Sequence, residues 1–535
     1  MKKIYLIIFA LFFGSLLLLP SCAKRGFITG GAKDTIPPKI MNSSPENFTT
    51  NFSGKEIKIV FDELIKVKDI NKQLIISPPM DKRPIIIPQG SASKYISIKI
   101  QDTLQPNTTY SFNFGQSITD NNEGNPYSQY RYVFSTGNYI DSLQIVGKIK
   151  DAFEQKTENF VSVQLYDATT FSDSTIYKET PLYIANTLDS LTFFKLENLK
   201  AGNYHIIALK DQNNNYKFDP KYDKIGFLKD AISIPNDTVF ELELFKEIAT
   251  LKVDKPTQES TNKFYMGFEG EIKKAKITAS NGKENIPIRL MNFPIKDKDS
   301  VQLFVPNMLQ EKDSLIFSIE SPNYKKEFTS KIRLLKETDS LNIDAKQKGN
   351  LAFRENFTLK TSTPIDQFNL EKITLLNKDS IEIAFTTKYN EFEREIVFDF
   401  KKEENEKYKI TALPGAFVDF YNTSNDTLKF NFTTKQYSDY GNLKVNLKSV
   451  SRFPVIVEIL KSNGEVVAQG YSEGETSLNF ELLEPSLFTI RLIYDDNKNR
   501  IWDTGNFLEK RQAEEIIYFP KTIDVRANWD VEQDI

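Results

Sequence analysis

The sequence is short of the residues on which many enzymes depend, because its 535 positions include one cysteine and one histidine. Cys22 therefore has no partner for an intramolecular disulfide. A Ser-His-Asp or Cys-His site would have to use His205, and a zinc site of the usual His/Cys type lacks ligands. No glycine-rich phosphate loop is present in the sequence. His205 stands between Tyr204 and Ile206 in an apolar run, so we expect a partly buried sheet position and no enzymatic activity.

Charge of one sign is not in excess either, since 69 Lys and Arg face 72 Asp and Glu, a net charge of −3. The basic residues form no stripe, so nucleic acid is not an expected partner. Trp502 and Trp529 are the only tryptophans, which weighs against a flat aromatic platform for sugars. In contrast, 41 Phe and 23 Tyr, with abundant Ile, Thr and Val, favour β-sheets.

The N-terminal residues have the composition of a secretory signal. Lys2 and Lys3 precede a mostly apolar stretch (residues 4–19), and Leu-Pro-Ser-Cys follows at 19–22. This stretch is shorter than the roughly twenty residues of a membrane span, and a basic start before a processing site indicates secretion. The ending resembles the lipobox of bacterial lipoproteins. That resemblance implies removal of residues 1–21 and attachment of lipid, including palmitate, to Cys22.

The residues after Cys22 predict the location through the same resemblance. Position 23 is not the Asp associated with inner-membrane retention, which implies the outer membrane. Surface-displayed lipoproteins of the Bacteroidetes often have acidic residues here, whereas this chain has Lys24 and Arg25. The periplasmic and cell-surface faces therefore both stay open. Residues 22–36 include three glycines and no periodic pattern, which indicates a flexible tether.

Alternating apolar and polar residues dominate the rest of the chain. Ile57, Ile59 and Phe61 form one such run, and similar runs recur between clusters of turn-forming residues. A period of two is typical of half-buried strands. We predict an all-β protein, with at least 40 per cent strand and under roughly 10 per cent helix after the signal, against a usual 20–25 per cent strand. The fold class is a tandem array of β-sandwiches.

One segment carries a specific resemblance. Phe61-Asp62-Glu63, the run from Pro106 to Tyr110 and Phe134-Ser135-Thr136 occur in an order similar to the bacterial Ig-like domain of S-layer and surface proteins. The resemblance covers residues 37–138. It implies a structural spacer or adhesive unit without catalysis.

The following segment resembles a different small sandwich. Residues 139–248 contain a Leu-x-x-Gly-x-Tyr corner at 199–204, similar to prealbumin-like or carboxypeptidase-regulatory-like domains, in which Gly202 is expected to supply a turn. The C-terminal half repeats this order. We assign an Ig-like domain to 346–436, a prealbumin-like domain to 437–535 and a β-sandwich of unassigned type to 249–345.

Both prealbumin-like segments contain the pattern Asp-x-Asn-x-Asn-x-x-x-Asp. Side-chain oxygens at positions one, three and five, a backbone carbonyl at seven and a carboxylate at nine match part of a calcium shell. An EF-hand is excluded, since Gly at six and Glu at twelve are missing. The same residues also build metal-free turns, so calcium and a turn both stay open. The candidate ligands are Asp211, Asn213, Asn215, Lys217 and Asp219, and then Asp495, Asn497, Asn499, Ile501 and Asp503.

Two residues near these loops have separate expectations. Asp223 is placed to complete the first set of ligands. Position eight is aromatic in both copies, as Phe218 and Trp502, and we expect these rings to fill the sandwich beneath the loop.

Two functions follow from the sequence. The first is a non-catalytic lipid-anchored scaffold or spacer that works with an outer-membrane protein partner. The second is a surface lipoprotein that binds glycan or peptide through its prealbumin-like loops, for which an exposed aromatic cluster beside those loops would be the evidence.

Overall fold

The structure, a computed structural model, describes residues 33–187, 192–295, 298–307, 314–333, 335 and 339–535. The signal segment 1–21, Cys22 and most of the tether lie outside these residues. Strands make up 48% and helices 3% of the chain, which confirms the all-β prediction. Within the described ranges, the helices are two single turns, Ile70–Gln73 and Thr175–Lys178, and the 3-10 turns Ile272–Lys274, Leu370–Lys372 and Tyr437–Asp439. None of the described helices has the length and hydrophobicity to cross a bilayer.

The chain divides into two compact units, Met1–Ile140 and Asp141–Ile535. The first unit is a sandwich of a five-stranded sheet (order β1-β2-β5-β4, with β7 beside β2) and a three-stranded sheet (β3-β6-β8). Its core contains Ile59, Phe112 and Phe134, each 0% exposed. Its strands are β1 (Ile40–Ser44), β2 (Glu56–Val67), β3 (Ile75–Ser77), β4 (Ile85–Ile87), β5 (Ser93–Lys99), β6 (Thr109–Asn113), β7 (Ile118–Asp120) and β8 (Arg131–Ser135).

The second unit begins with an eight-stranded sandwich. One sheet has the order β11-β10-β13-β14, with β15 beside β13, and the other has the order β12-β9-β16. Strand β16 runs parallel to β9. The strands are β9 (Leu143–Asp151), β10 (Ser162–Asp167), β11 (Tyr183–Asn186), β12 (Phe193–Leu199), β13 (Gly202–Lys210), β14 (Lys224–Phe227), β15 (Ile232–Ile234) and β16 (Val239–Leu244).

Two further sandwiches follow, each with its own apolar core. The earlier one pairs the sheets β17-β19-β23-β22, with β18 beside β19, and β21-β20-β24-β25. Its strands are β17 (Lys252–Val253), β18 (Thr257–Ser260), β19 (Lys263–Glu269), β20 (Lys276–Ser280), β21 (Asn285–Ile286), β22 (Arg289–Asn292), β23 (Ser300–Phe304), β24 (Ser314–Ser321) and β25 (Tyr324–Lys331).

The later one pairs the sheets β26-β28-β32-β31 and β27-β35-β33-β30, with a small β29-β34 sheet beside them. The strands are β26 (Ile343–Ala345), β27 (Gly349–Asn350), β28 (Phe357–Thr361), β29 (Ile365–Phe368), β30 (Ile373–Leu376), β31 (Phe385–Asn390), β32 (Glu395–Phe400), β33 (Lys407–Ala412), β34 (Phe417–Asp419) and β35 (Leu428–Thr433).

The last sandwich repeats the topology of the first sandwich of this unit. Its sheets are β38-β37-β40-β41, with β42 beside β40, and β39-β36-β43, in which β43 runs parallel to β36. Strand for strand, β36 to β43 therefore correspond to β9 to β16. The strands are β36 (Gly441–Asn446), β37 (Val455–Leu460), β38 (Val466–Ser472), β39 (Ser477–Leu483), β40 (Ser486–Tyr494), β41 (Ile516–Tyr518), β42 (Ile523–Val525) and β43 (Asp530–Asp534).

The last sandwich also packs on the first sandwich of the unit, far from it in sequence. An apolar cluster on the outer face of β13 and β14 includes Phe227 and Phe245, and Phe507 completes it at 2% exposure. The rings of Phe227 and Phe507 meet edge to face, with 5.2 Å between centroids. Gly505 lies over Phe245, where a Cβ would come within 2.5 Å of the ring. We call residues 502–513 the arm and its packing on β13 and β14 the closing contact.

Hydrogen bonds accompany the apolar packing of the closing contact. Thr504 Oγ1 donates to the carbonyl of Lys246 at 2.7 Å, and the backbone N–H of Phe507 donates to the buried carboxylate of Glu247. Outside the arm, the Tyr518 hydroxyl donates to the carbonyl of Phe153 at 2.6 Å. Because these buried polar groups form hydrogen bonds, the contact avoids the free-energy cost of burying a donor or acceptor without a partner.

Candidate metal loops

The two Asp/Asn loops begin at matching places in the two related sandwiches. One follows β13, which ends at Lys210, and the other follows β40, which ends at Tyr494. Both strands are central in their sheets, since each has hydrogen-bonded neighbours on both sides. Each loop therefore starts from a fixed position at one end of a sandwich.

In the first loop the predicted ligands bond to the backbone rather than to one another. Asp211 accepts hydrogen bonds from the N–H groups of Asn213 at 3.0 Å and Tyr216 at 2.7 Å. The amide oxygen of Asn215 accepts from the N–H of Lys217 at 2.8 Å. Tyr216 has a left-handed φ of 60°. These are the contacts of a tight turn.

A buried carboxylate, that of Asp223, lies across the first loop and bonds to its backbone. Asp223 is 0% exposed. Its carboxylate accepts hydrogen bonds from the N–H groups of Gln212 at 2.9 Å and Asp219 at 2.8 Å. Burial raises the pKa of Asp223, and the nearby charges of Asp211 and Asp219 add to this, while the two N–H donors oppose it. Asp223 thus holds the beginning and the end of the loop together.

The second loop brings three of its predicted ligands together. Asp503 Oδ2 lies 2.6 Å from the side-chain amides of both Asn497 and Asn499. Position one again turns to the backbone, because Asp495 accepts from the N–H groups of Asn499 at 3.0 Å and Arg500 at 2.9 Å. Asp495 is 0% exposed. Positions three, five and nine therefore converge here, and position one fixes the turn.

Glu514 is a member of this site that the sequence did not indicate. Its carboxylate accepts from the N–H groups of Asn497 at 3.3 Å and Asp503 at 3.0 Å, which is the bridging role of Asp223 in the first loop. Burial raises the pKa of Glu514, and the charges of Asp503 and Asp495 raise it further. Most of the arm separates Asp503 from Glu514, so the spacing within the loop gave no signal for Glu514.

The donor set fits calcium in part. Calcium takes six to eight oxygens, and each loop offers carboxylates at positions one and nine plus the bridging carboxylate and side-chain amides. Among the residues that the structure describes, no cluster of three or more His, Cys, Asp or Glu side chains is placed to hold a metal. A calcium ion would therefore depend on amide and backbone oxygens and would bind weakly.

The sequence suggested that the aromatic residues at position eight fill the sandwich cores. In the structure they lie outside those cores. Phe218 is buried in the closing contact, on the outer face of the sheet. Trp502 packs on Phe153 with 4.7 Å between ring centroids, and its indole N–H donates to the carbonyl of Glu514 at 2.9 Å. Both rings contribute to the packing of one sandwich on the other. The sequence analysis missed this because it considered each loop within its own sandwich.

His205 occupies the partly buried sheet position expected of it. It pairs with Tyr166 across β10 and β13, and its ring stacks on Phe171 with 4.3 Å between centroids. Burial lowers the pKa of His205, and the nearby Lys510 of the arm lowers it further. Its surroundings are those of a packing residue.

Comparison with known proteins identifies one domain. Residues 34–136 match the bacterial Ig-like domain family, and they contain all the strands of the first unit. The resemblance predicted for 37–138 is thereby confirmed. No curated protein matches the sequence.

Solved structures give weaker likenesses. The S-layer protein rSbsC is 10% identical over 91% of this chain and 67% of that chain, with a TM-score of 0.14. The N-terminal eight Ig domains of the Down Syndrome Cell Adhesion Molecule are 9% identical over 92% of this chain and 70% of that chain, with a TM-score of 0.15.

Proposed function

We propose that the protein is a non-catalytic scaffold, anchored by lipid on Cys22 to the bacterial outer membrane. The observation that carries this proposal is the series of β-sandwich cores, the last of which returns to the first sandwich of its unit. The closing contact ties the two ends of this unit together, which suits a spacer that holds a partner at a fixed place. An Ig-like domain next to the tether is consistent with this role.

The scaffold would act together with an outer-membrane protein. The Bacteroidetes-type lipoprotein resemblance of the N-terminus supports this location, and the prealbumin-like character of 139–248 and 437–535 supports a structural role for the paired sandwiches. The Asp/Asn loops would hold calcium weakly and stiffen the ends of these sandwiches. An affinity on the order of 10⁻⁴ to 10⁻³ M is usual for extracellular calcium modules.

Glycan or peptide capture at these loops has less support. Sugar binding needs a cluster of exposed aromatic rings beside the loops. Tyr222 is 50% exposed beside the first loop, where Lys221 lies over its ring, and Trp502 in the second loop is held between Phe153 and the carbonyl of Glu514. Trp529 is 51% exposed, with Arg526 over its ring, and it lies beside β43 rather than in either loop. The scaffold role is therefore the function that the geometry favours.

Membrane fractionation tests the anchor. Cys22→Ser should abolish labelling by a palmitate analogue and leave the protein unprocessed or soluble, whereas Thr35→Ser, in the tether, should behave as the native chain. Affinity purification of the lipidated protein from membranes, followed by mass spectrometry, should recover one stable outer-membrane partner. Membrane retention of Cys22→Ser with a cleaved N-terminus would refute the anchor, and recovery of the protein alone would refute the scaffold role.

A further inference from the structure

Outward-facing lysines on several sheets of the second unit pair with acidic residues of neighbouring strands. In the first sandwich of the unit, Lys148 and Lys150 of β9 both pair with Glu241 of β16. In the last sandwich, Lys444 of β36 pairs with Glu532 of β43 at 3.1 Å. Opposite charges on facing positions stabilise a sheet, whereas like charges destabilise it. The charges of these lysines are therefore balanced within their own sheets.

One sheet departs from this arrangement. In the sandwich of β26 to β35, the outer face of the sheet β27-β35-β33-β30 carries Lys407 and Lys409 of β33 and Lys429 of β35, all exposed. Within the described residues, none of these three lysines forms an ion pair. On the opposite sheet of the same sandwich, by contrast, Lys360 of β28 lies 3.8 Å from Glu395 of β32. We call the three lysines the basic face.

The lysines of the basic face follow one another along the sheet. Lys407 and Lys409 are two residues apart on one strand, so their side chains leave the same face about 6.7 Å apart. Lys429 faces Thr411 in the antiparallel pairing of β33 and β35. It therefore stands one further step of that length along the sheet and one strand across. An extended chain repeats its own side chains with the same period, so alternate residues of an extended ligand match the lysines in spacing.

A groove of about 730 Å³ lies over one end of the basic face. Lys407, Lys409 and Asn431 line it on the sheet, and Lys378 lines it on the turn that follows β30. The backbone N–H groups of Lys378 and Lys407 both donate to Glu406 Oε1, at 2.9 and 2.8 Å, which holds this turn against β33. The volume is within the roughly 300–1,000 Å³ of ordinary ligand pockets. The turn thus forms a wall beside the two lysines of β33.

Glu406 does not balance the charge of this groove. Burial acts to raise the pKa of Glu406, but the N–H groups of Lys407 and Lys378 outweigh it and hold the pKa below its ordinary value. The carboxylate is 3.7 Å from Lys378 Nζ, and its side chain is 8% exposed. One buried negative charge therefore faces the three positive charges of Lys378, Lys407 and Lys409, and the groove keeps a positive excess.

We propose that the groove and the basic face bind an extended acidic segment of a partner protein, with acidic side chains at alternate positions opposite Lys407, Lys409 and Lys429. The segment runs along β33. Asn431, which pairs with Lys409 across β33 and β35, offers a donor and an acceptor to the backbone of the segment. An anionic polysaccharide would supply the charge, but the two-residue period of the lysines favours a peptide. This inference rests on the proposed scaffold role, and it names the chemistry by which the partner is held.

A fluorescein-labelled peptide with the core Glu-Thr-Glu-Thr-Glu is the probe. Titrated with the purified chain in detergent, it should give a saturable rise in anisotropy. Its Kd should increase about ten-fold or more between about 0.05 and 0.5 M salt, because salt screens exposed charges. Lys409→Glu should weaken binding several-fold, and the further change Lys407→Glu should abolish it. Lys388→Glu is the matched control, since Lys388 is an exposed lysine of β31 on the opposite sheet, and it should bind as the native chain does.

Charge reversal adds a readout that a loss of folding would not reproduce. The double variant of Lys407 and Lys409 should bind a peptide with the core Lys-Thr-Lys-Thr-Lys, which the native chain should not bind. A peptide with the same residues as the probe but its three Glu side by side should bind the native chain more weakly than the probe does.

Absence of saturable binding, or equal binding by Lys409→Glu and Lys388→Glu, would overturn the inference. Equal binding of the two acidic peptides, with displacement of both by dextran sulfate, would overturn it in favour of a polysaccharide. Self-association that the double variant abolishes would overturn it in favour of a second copy of the chain. The assay uses neither the lipid nor the natural partner, so its failure leaves the tests of the anchor and of the scaffold role unaffected.

Discussion

At the scale of single residues, an aspartate at the end of a strand is the device that this protein uses most clearly. Asp120 accepts hydrogen bonds from the N–H groups of Asn122, Glu123, Gly124 and Asn125, at 2.6–3.1 Å. Asp211 and Asp495 do the same with two N–H groups each, as described above. Such bonds satisfy donors that a reversing chain would otherwise leave without partners.

Asp120 provides the residue-scale prediction. Asp120→Ala should lower the free energy of unfolding of the first unit by roughly 2–4 kcal/mol, since hydrogen bonds to a charged group contribute about 1.5–3 kcal/mol each and are not additive. Asp120→Asn should cost less, because its Oδ1 can still accept three of the four bonds. Denaturant unfolding of both variants measures the difference, and equal losses would contradict this account.

The same carboxylate predicts a pH dependence. Burial works to raise the pKa of Asp120, but the four N–H donors outweigh it and hold the pKa below its ordinary value. A carboxylate with a lower pKa in the folded state adds stability above its unfolded pKa of about 3.9, and that stability is lost as the pH falls through the folded pKa. Asp120→Asn should therefore flatten the acid limb of the stability curve, and an unchanged limb would contradict this assignment.

At the scale of elements, alternation predicted strands such as β2 and β16 well, because one side of each is buried and the other faces solvent. Turn geometry was harder to predict. Gly202 was expected to supply the turn before β13, but the left-handed residue is Asn198, with φ 61°, next to a bulge between β12 and β9. In the repeat, Leu482 takes this conformation with φ 54°. A bulge depends on the pairing of two strands, which local composition does not reveal.

The Asp/Asn loops give the element-scale prediction. Millimolar calcium should raise the thermal midpoint of the full chain relative to chelator, because ten-fold excess over Kd adds about 1.4 kcal/mol per site. For a sandwich of about 100 residues this is a shift of several degrees. Asn497→Ala with Asp503→Ala should remove the share of the second loop, where the side chains converge.

Asp524→Ala is the control for the calcium experiment, since Asp524 is an exposed carboxylate of β42 in the same sandwich. It should leave the calcium shift unchanged. Identical calorimetric scans with calcium and with chelator would mean that the loops are turns without a metal.

At the scale of the whole molecule, the second unit is held by contacts of two kinds. Sandwiches adjacent in sequence meet through exposed ion pairs, such as Arg289–Asp366 at 2.6 Å and Lys273–Glu393 at 2.7 Å, and through Phe392, which packs on the core of the preceding sandwich. Such pairs contribute roughly 0–1 kcal/mol each. The closing contact is apolar and buried, and joins residues 260 apart in sequence. The arm has no periodic pattern of apolar residues. The sequence therefore predicted the strands of the second unit but not the packing of the arm.

Phe507 provides the whole-molecule prediction. Phe507→Ala should cost about 3–5 kcal/mol, as for other buried aromatic residues, and should raise amide hydrogen exchange in residues 225–247. Leu508→Ala, next to it and 58% exposed, should change neither quantity. Equal exchange in the two variants would mean that the arm does not hold the sandwiches together.

The closing contact also has a consequence for the order in which the chain is made. Phe245 leaves the ribosome long before Phe507, and at roughly 5–20 residues per second the interval is on the order of 10–50 s. During that time the ring of Phe245 and its neighbours face water with no cover. The first sandwich of this unit is therefore open to aggregation until the arm of the last sandwich arrives.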